Sequence, residues 1–141
     1  MSLFQNHVFL TLLIAGIGAQ LLKFMFYSIR FRTLHPLDLV TTGGMPSSHA
    51  ALMTGLSTSI LLNEGTTTAF FVSLAVLFIV LVDAVGVRRT AGEEGLLLHK
   101  LIKKANVHVK EPHISLGHTP SQVFFGVLFG IVVAIGVQLL V

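Results

Sequence analysis

Two histidines stand where this sequence could do chemistry. His49 follows Gly43-Gly44-Met45-Pro46-Ser47-Ser48 and precedes the apolar Ala50-Ala51-Leu52-Met53, while His118 lies in Gly117-His118-Thr119-Pro120-Ser121-Gln122. In the first stretch a glycine pair gives a turn, Pro46 suits the first position of a helix and an apolar run follows; Pro120 marks a second helix start in the same way. Ser47, Ser48 and His49 are therefore expected at a helix mouth, where free backbone N–H groups point outward and favour an anion, ideally a phosphate. A histidine there gives or takes a proton near neutral pH. Taken alone, the tetrad also reads as a serine N-cap beside an incidental histidine.

Fixed positive charge is expected at the same level. Lys23 and Arg30 are seven positions apart, about two turns on one side of a helix. Asp83, Arg88 and Arg89 close another apolar stretch. Cations with helix dipoles argue for a phosphate. Histidines beside fixed positive charge, without cysteine or carboxylate clusters, argue against a metal centre and for no cofactor. The remaining histidines, His7, His35, His99, His108 and His113, read as loop or interface residues without a shared role.

The elements that must position these residues belong to a membrane. Of 141 residues 53% are hydrophobic and only 11% charged, with a mean hydropathy of +0.87. The length suits a single domain, residues 1–141. There is no cysteine, so disulfides and thiolate metal sites are excluded. The sequence pI of 9.7 rests on few charges and does not point to nucleic acid. The expected fold class is an all-α polytopic helix bundle with about four transmembrane helices and an amphipathic interfacial helix. No Lys or Arg precedes Lys23, so the first span, about Val8 to Ile29, is expected to be retained rather than cleaved. The second helix runs from near Pro46 to Asn63-Glu64-Gly65; short and rich in Ser, Thr and Gly, it should pack against protein more than lipid. The third runs from about Thr67 to Val87 and is strongly apolar except for Asp83. The fourth, from about Pro120 to Val141, carries Gly126-x-x-x-Gly130, a close-packing motif suited to the bundle interior or to a homo-oligomer.

Between the third and fourth spans, Gly95 to Ala105 sets Leu97, Leu98, Leu101 and Ile102 on one helical face and Lys100, Lys103 and Lys104 on much of the other. That pattern suits a helix at a membrane surface or one packed over the bundle. The two long loops, 30–47 and 88–117, lie on one side and hold nearly all the Lys and Arg. Even without the candidate ligands Lys23, Arg30, Arg88 and Arg89, the excess remains through Arg32, Lys100, Lys103, Lys104 and Lys110. The positive-inside rule then puts these loops, and the site, in the cytoplasm of a multi-pass membrane protein.

With these residues in view the chain resembles the type-2 phosphatidic acid phosphatase superfamily, which includes the vanadium haloperoxidases, and specifically its small divergent membrane branch. That superfamily carries the motifs Lys-x6-Arg-Pro, Pro-Ser-Gly-His and Ser-Arg-x5-His-x3-Asp. Lys23-x6-Arg30 matches the first, with Phe31 for the proline, and Pro46-Ser47-Ser48-His49 matches the second, with Ser48 for the glycine. The third is split: its arginine is Arg88 or Arg89, and its histidine is His118, 30 positions after Arg88. Gln122 stands where the superfamily has its aspartate.

The resemblance implies a metal-free phosphomonoesterase. His118 would be the nucleophile and His49 the acid and base. Lys23, Arg30, Arg88 or Arg89, Ser47 and Ser48 would hold the phosphate oxygens, and a lipid phosphate in the bilayer is the natural substrate. Gln122 can accept the hydrogen bond of a carboxylate but brings no charge; losing the carboxylate behind a serine protease's imidazole costs about 10⁴-fold. Asp83 is the local candidate to replace it, or a structural partner of Arg88 or Arg89. Two other readings stay open: a protein that binds a phosphorylated ligand without turnover, and a small structural or transport-associated membrane protein.

Overall fold

The computed structural model describes residues 6–31, 44–107, 109 and 116–141, with the side chains of Arg30 and Phe31 outside the description. Five helices follow in order: α1 (His7–Phe31), α2 (Ser48–Glu64), α3 (Thr68–Val85), α4 (Val87–Ala105) and α5 (Pro120–Leu140). No strand occurs among the described residues.

Three stretches are long and apolar enough to cross a membrane: His7–Ile29, Thr68–Ala105 (through the Gly86 break) and Pro120–Leu140. The 17 residues of α2 rise only about 25 Å, less than the roughly 30 Å hydrocarbon layer. α2 instead forms the centre of the bundle, packed on α1, α3 and α5. Its buried residues are small or polar (Ala50, Ala51, Thr54, Gly55, Ser57 and Ser59) apart from Ile60. Large apolar side chains face outward, among them Ile29, Phe78, Ile79 and Leu139, at 72%, 67%, 65% and 78% exposure. A water-soluble bundle reverses this arrangement; a small-residue interior within an apolar exterior is the packing of helices in lipid.

The α2–α5 contact shows why. A Cβ on Gly126 would meet the Ser47 carbonyl oxygen at 2.5 Å, and one on Gly130 would overlap the Ala51 carbonyl. The two backbones therefore approach to a distance that only glycine allows at these positions. The Gly126/Gly130 pair of the sequence thus faces α2 within the chain, and any contact between copies must use another surface.

Two boundaries differ from expectation. Pro46 precedes the helix rather than opening it: Ser47 is the N-cap and Ser48 the first helical residue. α4 begins at Val87, eight residues before the expected Gly95, because Gly86 interrupts the helix for a single residue (φ −102°, ψ −92°). Arg89 and Glu93, at i and i+4, pair at 3.0 Å and support the new first turns. Arg88 and Arg89 thus open α4 instead of closing α3. Among the described elements α4 touches only α3, and Leu97, Leu98 and Leu101 on its apolar face stay exposed.

Candidate phosphate site

The end of α1, the start of α2, the end of α3 and the approach to α5 meet at one end of the bundle, held largely by main chain. The Ser47 N–H donates to the Gln122 carbonyl at 3.0 Å, and the His118 N–H donates to the Ala84 carbonyl at 3.1 Å. The first bond ties α2 to α5, and the second ties α5 to α3. Gly117 makes the second possible, since a Cβ there would overlap the Arg89 backbone.

His118 is buried, 7% exposed. Its Nδ1 lies 3.3 Å from Gln122 Oε1. That oxygen also accepts the Thr119 N–H at 3.0 Å, which fixes which end of the amide is oxygen. Facing an acceptor, Nδ1 must carry the proton, so in the neutral ring Nε2 keeps its lone pair. Burial pushes the His118 pKa below its usual value, and the nearby His49 and Lys23 charges act in the same direction. The Gln122 hydrogen bond and the Gly44 carbonyl oppose them. A neutral imidazole with one unprotonated nitrogen is the state a nucleophile needs.

Lys23 is 6% exposed, and its stem lies against Gly44, where a Cβ would come within 3.1 Å of Lys23 Cγ and Cδ. Gly44 also has φ +91°, a conformation natural to glycine, so this residue serves both the turn and the lysine. Arg30 is in the last turn of α1, seven positions beyond Lys23. Its side chain, with Arg32, His35, His108, Lys110 and His113, lies outside the described residues.

At the mouth of α2 the two serines differ. Ser47 is fully buried, and its Oγ accepts the Ala50 N–H at 3.4 Å, so this hydroxyl caps the helix. Ser48 is half-buried and His49 exposed; their N–H groups lie in the first turn, which has no intrahelical acceptors. His49 is close enough to His118 for its charge to be felt there.

The arginines are engaged. Arg88 Nε donates to Asp83 Oδ2 at 2.5 Å, the structural pairing that was one of the two readings of Asp83. Arg89 pairs with Glu93. Both lie beside Gly117 along the chain path that leads into His118. Among the described residues no group of three or more His, Asp or Glu side chains is gathered as metal ligands.

Three contributors escaped the sequence reading. The Gly44 and Ala84 carbonyls leave no side-chain signal. Thr119 does: Thr119-x-x-Gln122 is a capping box, in which Thr119 Oγ1 accepts the Gln122 N–H and Gln122 Oε1 accepts the Thr119 N–H. Gln122 therefore holds the helix start and the His118 ring with one oxygen.

Comparison with known proteins gives the family of the chain. A family model described as "Divergent PAP2 family" matches residues 4–133. The uncharacterized membrane protein YuiD of Bacillus subtilis (strain 168) is 37% identical over 96% of this chain and 96% of its own. No solved structure matches.

Proposed function

Because the chain belongs to the divergent PAP2 family, we propose that it is a metal-independent membrane phosphatase acting on a lipid phosphate or related phosphomonoester through a phosphohistidine. The observation that supports this reading is the His118 environment: a buried ring, Nδ1 bonded to Gln122, with Lys23 and His49 near enough to act on its charge.

In the first step His118 Nε2 attacks phosphorus in line. The N–P bond forms as the ester P–O bond breaks, and His49 gives its proton to the departing alkoxide. In the second, His49 takes a proton from water. The oxygen attacks phosphorus, the N–P bond breaks, and inorganic phosphate leaves with His118 neutral again. Lys23, Arg30, Ser48 and the first N–H groups of α2 balance the phosphate charge. Arg88 or Arg89 joins them on exchanging its carboxylate partner for the substrate.

Purified protein should release phosphate from 4-nitrophenyl phosphate or a long-chain monoester in EDTA. Acid-labile phosphate should build up on His118 when His49 is replaced by Ala. Absence of both would remove the enzyme reading. A ligand-binding protein without turnover is the second reading, favoured by the neutral Gln122 and by the two arginines already paired with carboxylates. In that case phosphate or vanadate raises the melting temperature while no ester is consumed.

A further inference from the structure

A groove of about 290 Å³ runs along the membrane side of the bundle between α1 and α5, lined by apolar residues alone. Leu22 and Phe26 form one wall and Phe125, Leu128, Phe129 and Val132 the other, with Met45 and Pro46 at one end. Two features distinguish it from the general lipid-facing surface. First, the end formed by Met45 and Pro46 is the start of the histidine-bearing turn: Pro46 adjoins the Ser47 cap, Leu22 adjoins Lys23, and Phe125 is one turn beyond Gln122. Second, the groove has a floor, because the Phe129 ring reaches α1 at Gly18, where a Cβ would lie 3.0 Å from Phe129 Cζ.

We infer that this groove seats one hydrocarbon chain of the substrate, its phosphate end at Lys23 and His118 and its methylenes between α1 and α5. The inference rests on the phosphatase reading above and narrows it to monoesters with a long chain. The occupant follows from continuity and surroundings. One end of the groove is formed by Met45 and Pro46, next in the chain to the Ser47 cap, and Leu22 on its wall is next to Lys23. Its walls belong to two membrane-crossing stretches, so hydrocarbon is the medium around it. Phe125 to Val132 covers about 10 Å of α5, enough to hold the chain segment nearest the headgroup while the rest stays in the bilayer. Burial of that segment would align the ester for in-line attack, using binding remote from the reacting bond.

Two measurements on full-length protein in phosphatidylcholine nanodiscs test it. A single-chain glycerol phosphate ester carrying a diazirine in its hydrocarbon chain should label peptides from 22–26 and 125–132 in preference to α3, and excess unlabelled ester should compete. In parallel, Leu128→Trp, and Val132→Phe as the milder variant, should lower the ratio of kcat/KM for the long-chain ester to that for 4-nitrophenyl phosphate by about tenfold or more. Phe78→Trp, on the outer face of α3, should leave that ratio unchanged. Labelling spread equally over α3, or an unchanged ratio in both groove variants, would overturn the inference and leave the phosphatase reading standing. Competed labelling of the groove in a protein that hydrolyses neither ester would keep the groove as a lipid-chain site and remove the phosphatase reading instead.

Discussion

His118 is set between opposing influences, and each has a measurable effect. Its pKa lies below the usual 6.5 through burial and the His49 and Lys23 charges, so the ring stays neutral under mildly acidic conditions. The acid limb of kcat/KM should therefore fall below pH 6.5. Stability carries the same sign. The unfolded chain takes up this proton at the ordinary value and the folded chain only at a lower one, so stability should fall as pH drops from about 6.5 towards the folded-state value. A melting-temperature series across pH, with His118→Asn as the reference, reads this directly. Gln122→Asp should move both curves upward in pH and raise kcat more than it changes KM, because a carboxylate favours the cationic ring that develops during reaction. A slower Gln122→Asp enzyme would assign the supporting charge elsewhere, with Asp83 first in line. The types and order of these residues were legible in the sequence, and so was the possible Asp83–Arg88 partnership. A serine cap was one of the readings offered, but which of the two serines would serve and that Gln122 would act twice could not be read, since each depends on where a helix begins to within one residue.

Among the elements, α2 and α5 form the contact on which the others depend. Gly126→Leu or Gly130→Leu should force these helices apart, with a loss of about 1–3 kcal/mol or more. Because the displaced atoms include Ser47 and its bond to Gln122, Gly126→Leu should also abolish stabilisation by phosphate or vanadate. Thermal unfolding with and without the anion checks both. The sequence foretold that α2 would be enclosed, since Ser, Thr and Gly allow close helix approach and Leu-rich stretches do not. It did not foretell where α4 begins. Arg88, Arg89, Glu93 and Glu94 read as a polar loop when helicity is sought through apolar periodicity, yet an i,i+4 ion pair and a one-residue break at Gly86 allow the helix to resume at once.

For the whole molecule, the four converging chain ends define one face of the bundle, and the opposite face is closed by a different polar set. There His7 Nδ1 meets Gln138 Oε1 at 3.0 Å, and Thr11 Oγ1 donates to Ser59 Oγ at 3.4 Å. We propose that the first face is cytoplasmic, on the distribution of Lys and Arg. The native chain has no cysteine, so single-cysteine labelling is clean. In intact cells an impermeant maleimide should modify the Glu64→Cys variant and spare Lys104→Cys until the membrane is opened. The reverse pattern would invert the assignment. Hydropathy made the spans legible, but the sidedness of the site came only from pairing motif residues with helix ends.

The bonds from Ser47 to Gln122 and from His118 to Ala84 use only backbone atoms, and this bears on how such a protein can diverge. The two bonds themselves ask nothing of the side chains at those four residues. Main-chain stitching also makes the site insensitive to the length of chain spliced between Arg89 and Gly117, because lengthening a connection that leaves and returns to fixed points costs little, about 0.6 kcal/mol per doubling. A lineage could therefore acquire α4 as an insertion, or exchange it for another module, while the two histidines kept their positions. A third motif split as the resemblance implies is what such a history would leave behind: an arginine and a histidine parted in sequence, with the backbone of Arg88 and Arg89 still against Gly117.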